Sequence, residues 1–247
     1  MTTLSPSLTE NHSPTPETFQ TGQVLTIAGG HFLHDTYSAF VAPLLPLLIE
    51  KLSLSLTLAG SLSSIMQLPS LITPFIGYLA DKVSVRYFII LAPGVTATLM
   101  SFMGLANSYW GLAAIFLVTG ISVAAFHAPA PALIARVSGP NVGRGMSFFM
   151  ASGELARTVG PLVAVWAVSL WGLEGMYRLA IFGWVASGIF YWRFRDVPAR
   201  SQKNVGFRGL IPTAWRLFLS LFFITISRDF LAVSLGTFLP TFMNEQG

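Results

Sequence analysis

His31, His34 and Asp35 stand inside an otherwise apolar stretch of the chain. Their spacings of three and four, continued by Ser38 and Ala42, mark one helical face. An aspartate beside imidazoles can take up and release a proton near neutral pH; the same groups could also do no more than hydrogen-bond neighbouring helices. Two histidines at i and i+3 resemble half a metal site. No other stretch supplies a matching His or carboxylate pair in sequence, so no metal is expected. His127 lies in Phe126-His127-Ala128-Pro129-Ala130-Pro131, where two prolines remove backbone donors and should kink or break a helix. It reads as a further proton carrier or as a hydrogen-bonded structural group.

Glu154 and Arg157, three apart, can pair on one helical face. In a dry cavity such a pair couples proton uptake to anion binding, because protonating Glu154 frees the charge of Arg157; a static buried ion pair is the other reading. One turn on, Gly160-Pro161 combines close helix approach with a bend. Arg228 and Asp229 are adjacent and so point about 100° apart, each toward a different neighbour. With His31 and Arg157 they form the set of candidate substrate contacts, while Asp35, Glu154, His34 and His127 form the set of candidate proton carriers.

The elements that must carry these residues are membrane helices. Of the 247 residues, 53% are hydrophobic and 10% charged, well below the charged fraction of a water-soluble domain. Seven apolar stretches, at about 24–49, 57–80, 87–106, 109–135, 146–170, 176–194 and 217–243, are each long enough to cross a hydrocarbon core of roughly 30 Å. Unpaired strand edges are not tolerated in lipid, so the fold class is all-α. The first 23 residues, rich in Ser, Thr and Pro, read as a disordered tail. There is no cysteine, which excludes thiol chemistry and disulfides. Seven spans also fit a retinal protein, but the seventh has no lysine for a Schiff base.

The basic residues set an orientation. Ten of them (Lys82, Arg86, Arg136, Arg144, Arg193, Arg195, Arg200, Lys203, Arg208 and Arg216) fall in the even connections, and two (Lys51 and Arg178) in the odd ones. This places the even connections and the N-terminus in the cytoplasm. The net charge of +4 is therefore a topology signal, and no nucleic-acid partner is implied. The polar, basic segment 195–216 reads as a linker between a six-helix bundle, 24–194, and a second bundle whose first helix is 217–247. Asp35, Leu45 and Pro46 recur 194 residues later as Asp229, Leu239 and Pro240, as a tandem repeat of a six-helix unit would require.

At the end of the second span, Gly77-Tyr78-Leu79-Ala80-Asp81-Lys82, with Arg86 four residues on, resembles the motif between the second and third helices of major facilitator transporters. With the first-span run His34-Asp35 to Pro43 and Pro46, Phe126-His127, Gly143-Arg144-Gly145 and Gly160-Pro161, the chain resembles the fosmidomycin-resistance branch of the drug/proton antiporters from about residue 24 to 247. The resemblance implies a twelve-helix fold of two six-helix halves in the cell inner membrane, of which this chain holds one half and the next helix. It implies alternating access to a central site and exchange of protons for a small molecule. Gly77, Asp81, Lys82, Arg86, Gly160 and Pro161 would then serve gating. The expected partners are the small-molecule substrate, protons, lipid and the missing C-terminal half, with no cofactor. Import of a metabolite and a non-transporting sensor are the competing functions. An intramembrane enzyme lacks a nucleophile context or a paired metal-ligand motif.

Overall fold

The computed structural model describes residues 18–73 and 85–195, together with 219–220, 222–224, 226–228 and 231. It divides into two units, Met1–Ser201 and Gln202–Gly247. All regular structure among the described residues is helical, as expected from a chain whose backbone polar groups must be satisfied without water.

The first unit contains α1 (Thr21–Ser38), α2 (Val41–Leu52), α3 (Leu56–Gln67), α4 (Val85–Phe102), α5 (Tyr109–His127), α6 (Ala130–Val137), α7 (Val142–Gly175) and α8 (Ala180–Phe194), with short 3₁₀ turns after α3, α4 and α7. Helix starts are set by side-chain caps where the sequence offers them. Ser55 Oγ accepts from the Leu58 amide and Ser108 Oγ from the Gly111 amide, each at 3.2 Å. The second unit contributes helical stretches at 222–224 and 226–228.

Prolines explain two breaks. Pro43 has no N–H for the carbonyl of Ala39 and its ring crowds that group, and the first apolar stretch divides into α1 and α2 at Ala39 and Phe40. Pro129 and Pro131 likewise strand the carbonyls of Ala125 and His127, and α5 gives way to α6 there. The break in the fourth stretch was expected from its prolines; the one in the first was not.

Among the described residues, four stretches are long and apolar enough to cross a membrane: Thr21–Leu52, Tyr87–Leu105, Tyr109–Val137 and Val142–Phe194. The last, at 53 residues, is far longer than the roughly 20 residues one crossing needs. It is interrupted at Gly172, whose φ of 69° lies in the left-handed region that a side chain disfavours. The second and seventh expected spans run into residues outside the described set.

α1 is the centre of the first unit, packed against α7, α4, α8 and α6. Two apolar cores lie along it. One gathers Val24 and Ile27 of α1, Ile89 and Ile90 of α4, Phe126, Phe149 and Phe190. The other gathers Tyr37 and Phe40, Met100, Leu112, Phe116, Ala164 and Ala167. Lipid tails are as apolar as these side chains, so their contribution is close packing rather than transfer from water. On α7 the packed face is made of Gly153, Ala156, Gly160, Ala164 and Ala167. A Cβ on Gly160 would lie 2.7 Å from the Thr36 carbonyl oxygen, so only glycine permits this approach of α1 to α7.

Candidate functional site

Between the two cores the chain buries polar side chains from four helices: His31, His34 and Asp35 on α1, Thr96 on α4, Thr119 and Ser122 on α5, and half-buried Ser152 on α7. Their positions follow from helical register. Along the first apolar stretch the cores take residues 24 and 27 on one side and 37 and 40 on the other, which leaves the turn of α1 carrying 31, 34 and 35 between them. Thr96 has the same relation to Ile90 and Met100 on α4.

Asp35 is the hub. Its Oδ1 lies 3.0 Å from His34 Nδ1 and 3.0 Å from His127 Nε2, and its Oδ2 lies 3.1 Å from His31 Nε2. His34 and Asp35 are adjacent in sequence, while His127 reaches the same carboxylate from the end of α5, where the helix stops at the two prolines. His31 and His34 are buried; the His127 side chain is 34% exposed and forms the open side of the cluster.

Donor and acceptor counting assigns most ring protons. A carbonyl only accepts, so His31 Nδ1–H donates to the Phe149 carbonyl at 2.8 Å, and Ser152 Oγ, itself donating to that carbonyl, stands 3.2 Å from the same nitrogen. Ser122 Oγ donates to the Ala92 carbonyl and accepts from Thr96 Oγ1 at 2.8 Å. With its single proton used, Thr96 accepts from His34 Nε2–H at 3.1 Å. His34 thus spans Thr96 at Nε2 and Asp35 Oδ1, 3.0 Å away, at Nδ1. His31 Nε2 is different: it faces Asp35 Oδ2 at 3.1 Å without hydrogen-bond alignment and is a buried nitrogen with no hydrogen-bond partner.

Aromatic rings clamp the imidazoles. His31 stacks on Phe149 with centroids 3.9 Å apart, and His34 on Phe126 at 4.4 Å. Gly153 leaves the space they occupy, since a Cβ there would come within 2.7 Å of His31 Cε1. The donor atoms of His31, Asp35 and His127 lie within 4.8 Å of one another, near enough for one cation to be held among them. The sequence pattern paired His31 with His34 as conceivable metal ligands. The structure instead groups His31 with His127, because the fold brings the end of α5 against α1.

The other expected residues separate from this cluster. Arg157 donates to Glu154 Oε1 at 2.8 Å, as their spacing required. The pair is not buried: the two side chains are 66% and 64% exposed, because both positions sit beside, not on, the face of Gly153, Ala156 and Gly160. Gly160 packs against α1 and Pro161 lies inside α7. Arg228 belongs to a helical stretch of the second unit. Asp229, Gly77, Asp81 and Lys82 lie outside the described residues, and of Arg86 only the backbone, in the first turn of α4, is described. Sequence reasoning did not pick out Thr96, Ser122, Phe149, Ser152 or Gly153, and it named Phe126 only as part of a motif.

Helices as the only regular structure among the described residues, several long apolar stretches and a buried cluster of ionisable side chains between them are the make-up of a polytopic membrane protein. Comparison gives the family: residues 27–247 match the Major Facilitator Superfamily. The chain belongs to that superfamily. It is 28% identical to the fosmidomycin resistance protein of Escherichia coli (strain K12) over 183 residues, 73% of this chain and 45% of the relative. It is 26% identical to the multidrug resistance protein MdtG of Yersinia enterocolitica over 228 residues, 87% of this chain and 55% of the relative. A third relative, the uncharacterized MFS-type transporter YfnC of Bacillus subtilis (strain 168), is 25% identical over 64% of this chain and 42% of its own length. The chain spans about half the length of the curated relatives it matches.

Proposed function

We propose that the protein takes part in proton-coupled export of small amphipathic or anionic compounds by alternating access, with Asp35 and its imidazoles as the coupling centre. The observation that carries this reading is the carboxylate hub. One buried Asp touches three histidines on two helices, between two apolar cores and with one side open at His127. A group that must be loaded and unloaded from within a bundle needs that combination of isolation and access. Drug resistance in the names of two relatives supports export.

The exposed Glu154 and Arg157 complete the reading. They share one side of α7 with Thr158, while Leu155, Leu162 and Trp166 occupy another. A charged pair facing lipid would cost about 2.5 to 3.5 kcal/mol per residue at mid-depth, so this side belongs against a cavity or a second helical bundle. There Arg157 can grip a carboxylate or phosphonate in a forked hydrogen bond, with His31, Arg228 and Asp229 as further contacts and Glu154, His34 and His127 as auxiliary proton carriers. On the same reading, six helices over 24–194 form one bundle, 217–247 begins the next, the N-terminus is cytoplasmic, the membrane is the cell inner membrane, and the segment from Gly77 to Arg86 gates the inner side together with Gly160 and Pro161.

The test is pH-gradient-driven movement in proteoliposomes. Asp35→Asn is the informative variant, because the amide keeps the size and shape of the carboxylate, its oxygen can still accept from His127, and its N–H can donate to an imidazole nitrogen, so the fold is retained. Drug accumulation driven by the gradient should be lost while substrate binding survives. Full gradient-driven accumulation by well-folded Asp35→Asn protein would sink the proposal.

A further inference from the structure

We infer that His31, Asp35 and His127 form a binding site for one late first-row divalent metal ion, of the Zn²⁺ or Co²⁺ kind. Spacing is the first ground. An ion held at about 2.0 to 2.2 Å by each nitrogen or oxygen ligand, at tetrahedral angles, sets neighbouring ligand atoms about 3.4 Å apart. His31 Nε2 lies 3.1 Å from Asp35 Oδ2, and His127 Nε2 lies 3.0 Å from Asp35 Oδ1. All three residues place donor atoms within 4.8 Å of one another, so small adjustments enclose an ion.

The second ground is independent of spacing. His31 is 4% exposed, and its Nδ1 proton is committed to the Phe149 carbonyl. With Nδ1–H committed to that carbonyl, Nε2 faces a carboxylate oxygen, which is an acceptor, and has no hydrogen-bond partner among the described residues. Between two such buried atoms at this distance a positive charge is needed, either a second ring proton or a metal ion.

The third ground is the surrounding layer. A metal-bound histidine characteristically donates its other N–H to a carbonyl or carboxylate, which fixes ring orientation. The Phe149 carbonyl does this for His31, and the rigid line of His34, Thr96 and Ser122 holds Asp35. The half-buried His127 leaves one side open, through which an ion and a fourth ligand can enter. Two imidazoles and one carboxylate, with no thiolate in the chain, suit Zn²⁺, Co²⁺ or Ni²⁺ better than Mg²⁺ or Ca²⁺, which prefer all-oxygen shells. This goes beyond the transport reading and does not depend on it: the chain should bind the ion whether or not it moves protons or drugs.

The experiment is a Co²⁺ titration of the purified chain in detergent, read by the visible absorption of the bound ion. The background is clean, because the sequence has no cysteine and only four histidines, of which His31, His34 and His127 belong to the cluster and His12 serves as the control. One Co²⁺ per chain is expected, with affinity unchanged in His12→Gln, at least tenfold weaker in His127→Gln and lost in His31→Gln. Because the buried His31→Gln variant could unfold, a measurement on the unsubstituted chain accompanies it. In protein with ¹⁵N-labelled histidine rings, Zn²⁺ should shift the Nε2 signals of two of the four histidines. No Co²⁺ absorption, an affinity that His127→Gln leaves unchanged, a loss caused by His12→Gln, or ring signals that Zn²⁺ does not move would each overturn the inference.

Discussion

Replacing Gly153 by alanine puts the packing around the cluster to a quantitative test. In an unconstrained helix the change is favourable, by about 1 kcal/mol at a mid-helix site. Here the new methyl would stand 2.7 Å from His31 Cε1, 3.2 Å from His31 Nε2 and 3.5 Å from Asp35 Oδ2, where carbon contacts usually begin near about 3.5 Å. The ring cannot step aside freely: Phe149 stacks on it at 3.9 Å and takes its Nδ1 proton at 2.8 Å. Relief therefore means either giving up that buried hydrogen bond, about 1 to 3 kcal/mol if the carbonyl is left bare, or prising α7 from α1, about 1 to 3 kcal/mol for an overpacked contact. Subtracting the propensity gain leaves Gly153→Ala between neutral and about 2 kcal/mol destabilised. Gly188→Ala is the matched control, since Gly188 is mid-helix in α8 and its Cβ would meet nothing within 4 Å; that variant keeps the whole propensity gain. The two thermal unfolding midpoints should differ by several degrees with Gly153→Ala the lower, at about 2 to 4 °C per kcal/mol for a chain of this size. Equal midpoints, or a higher one for Gly153→Ala, would show that His31 is not held as described.

Two further outcomes are expected. Single cysteines placed in this cysteine-free chain should be protected from an impermeant thiol reagent in intact cells within 195–216 and labelled at Asn107 and Gly172; labelling of 195–216 would reverse the orientation. Arg157→Lys should weaken binding of anionic compounds several-fold with little effect on neutral ones, measured by equilibrium binding, because lysine loses the forked geometry; equal effects on both classes would remove Arg157 from the site.

The sequence exposed the parts of this arrangement that violate a local rule, and hid those that obey one. His31, His34 and Asp35 are conspicuous because ionisable groups are costly in apolar helices, and Glu154 with Arg157 because their spacing allows a pair. That Glu154 and Arg157 are exposed was legible only through their neighbours. Gly153, Ala156, Gly160, Ala164 and Ala167 recur at helical spacing and mark the packed face, and the charged pair falls beside it. The convergence of His127 on Asp35 could not be read, because 92 residues separate them and the contact depends on how α5 crosses α1. Thr96 and Ser122 were missed for a different reason. Hydroxyls in membrane helices commonly bond back to their own helix, as Thr98 does to the Gly94 carbonyl, and nothing local distinguishes the two that reach across.

The two polar groups of the first unit therefore differ in what stabilises them. The cost of burying Asp35 is met inside the unit, by contacts from three imidazoles and by the hydroxyls behind His34. Both helix interruptions lie one turn or less from this cluster: α1 ends at Ser38, just past Asp35, and α5 ends at His127 itself. Irregular backbone at membrane depth is tolerated where protein encloses it or it lines a cavity, which fits breaks set beside a packed polar cluster. Glu154 and Arg157 have only each other among the described hydrogen bonds and ion pairs of their side chains, and they stand on an uncovered side of α7. On the proposed reading they are covered by a surface outside those described. Asp35→Ala, which unlike Asp35→Asn takes away the atoms that all three imidazoles contact, should consequently disturb the first unit, whereas the effect of Glu154→Gln on stability should emerge only where a second surface covers it.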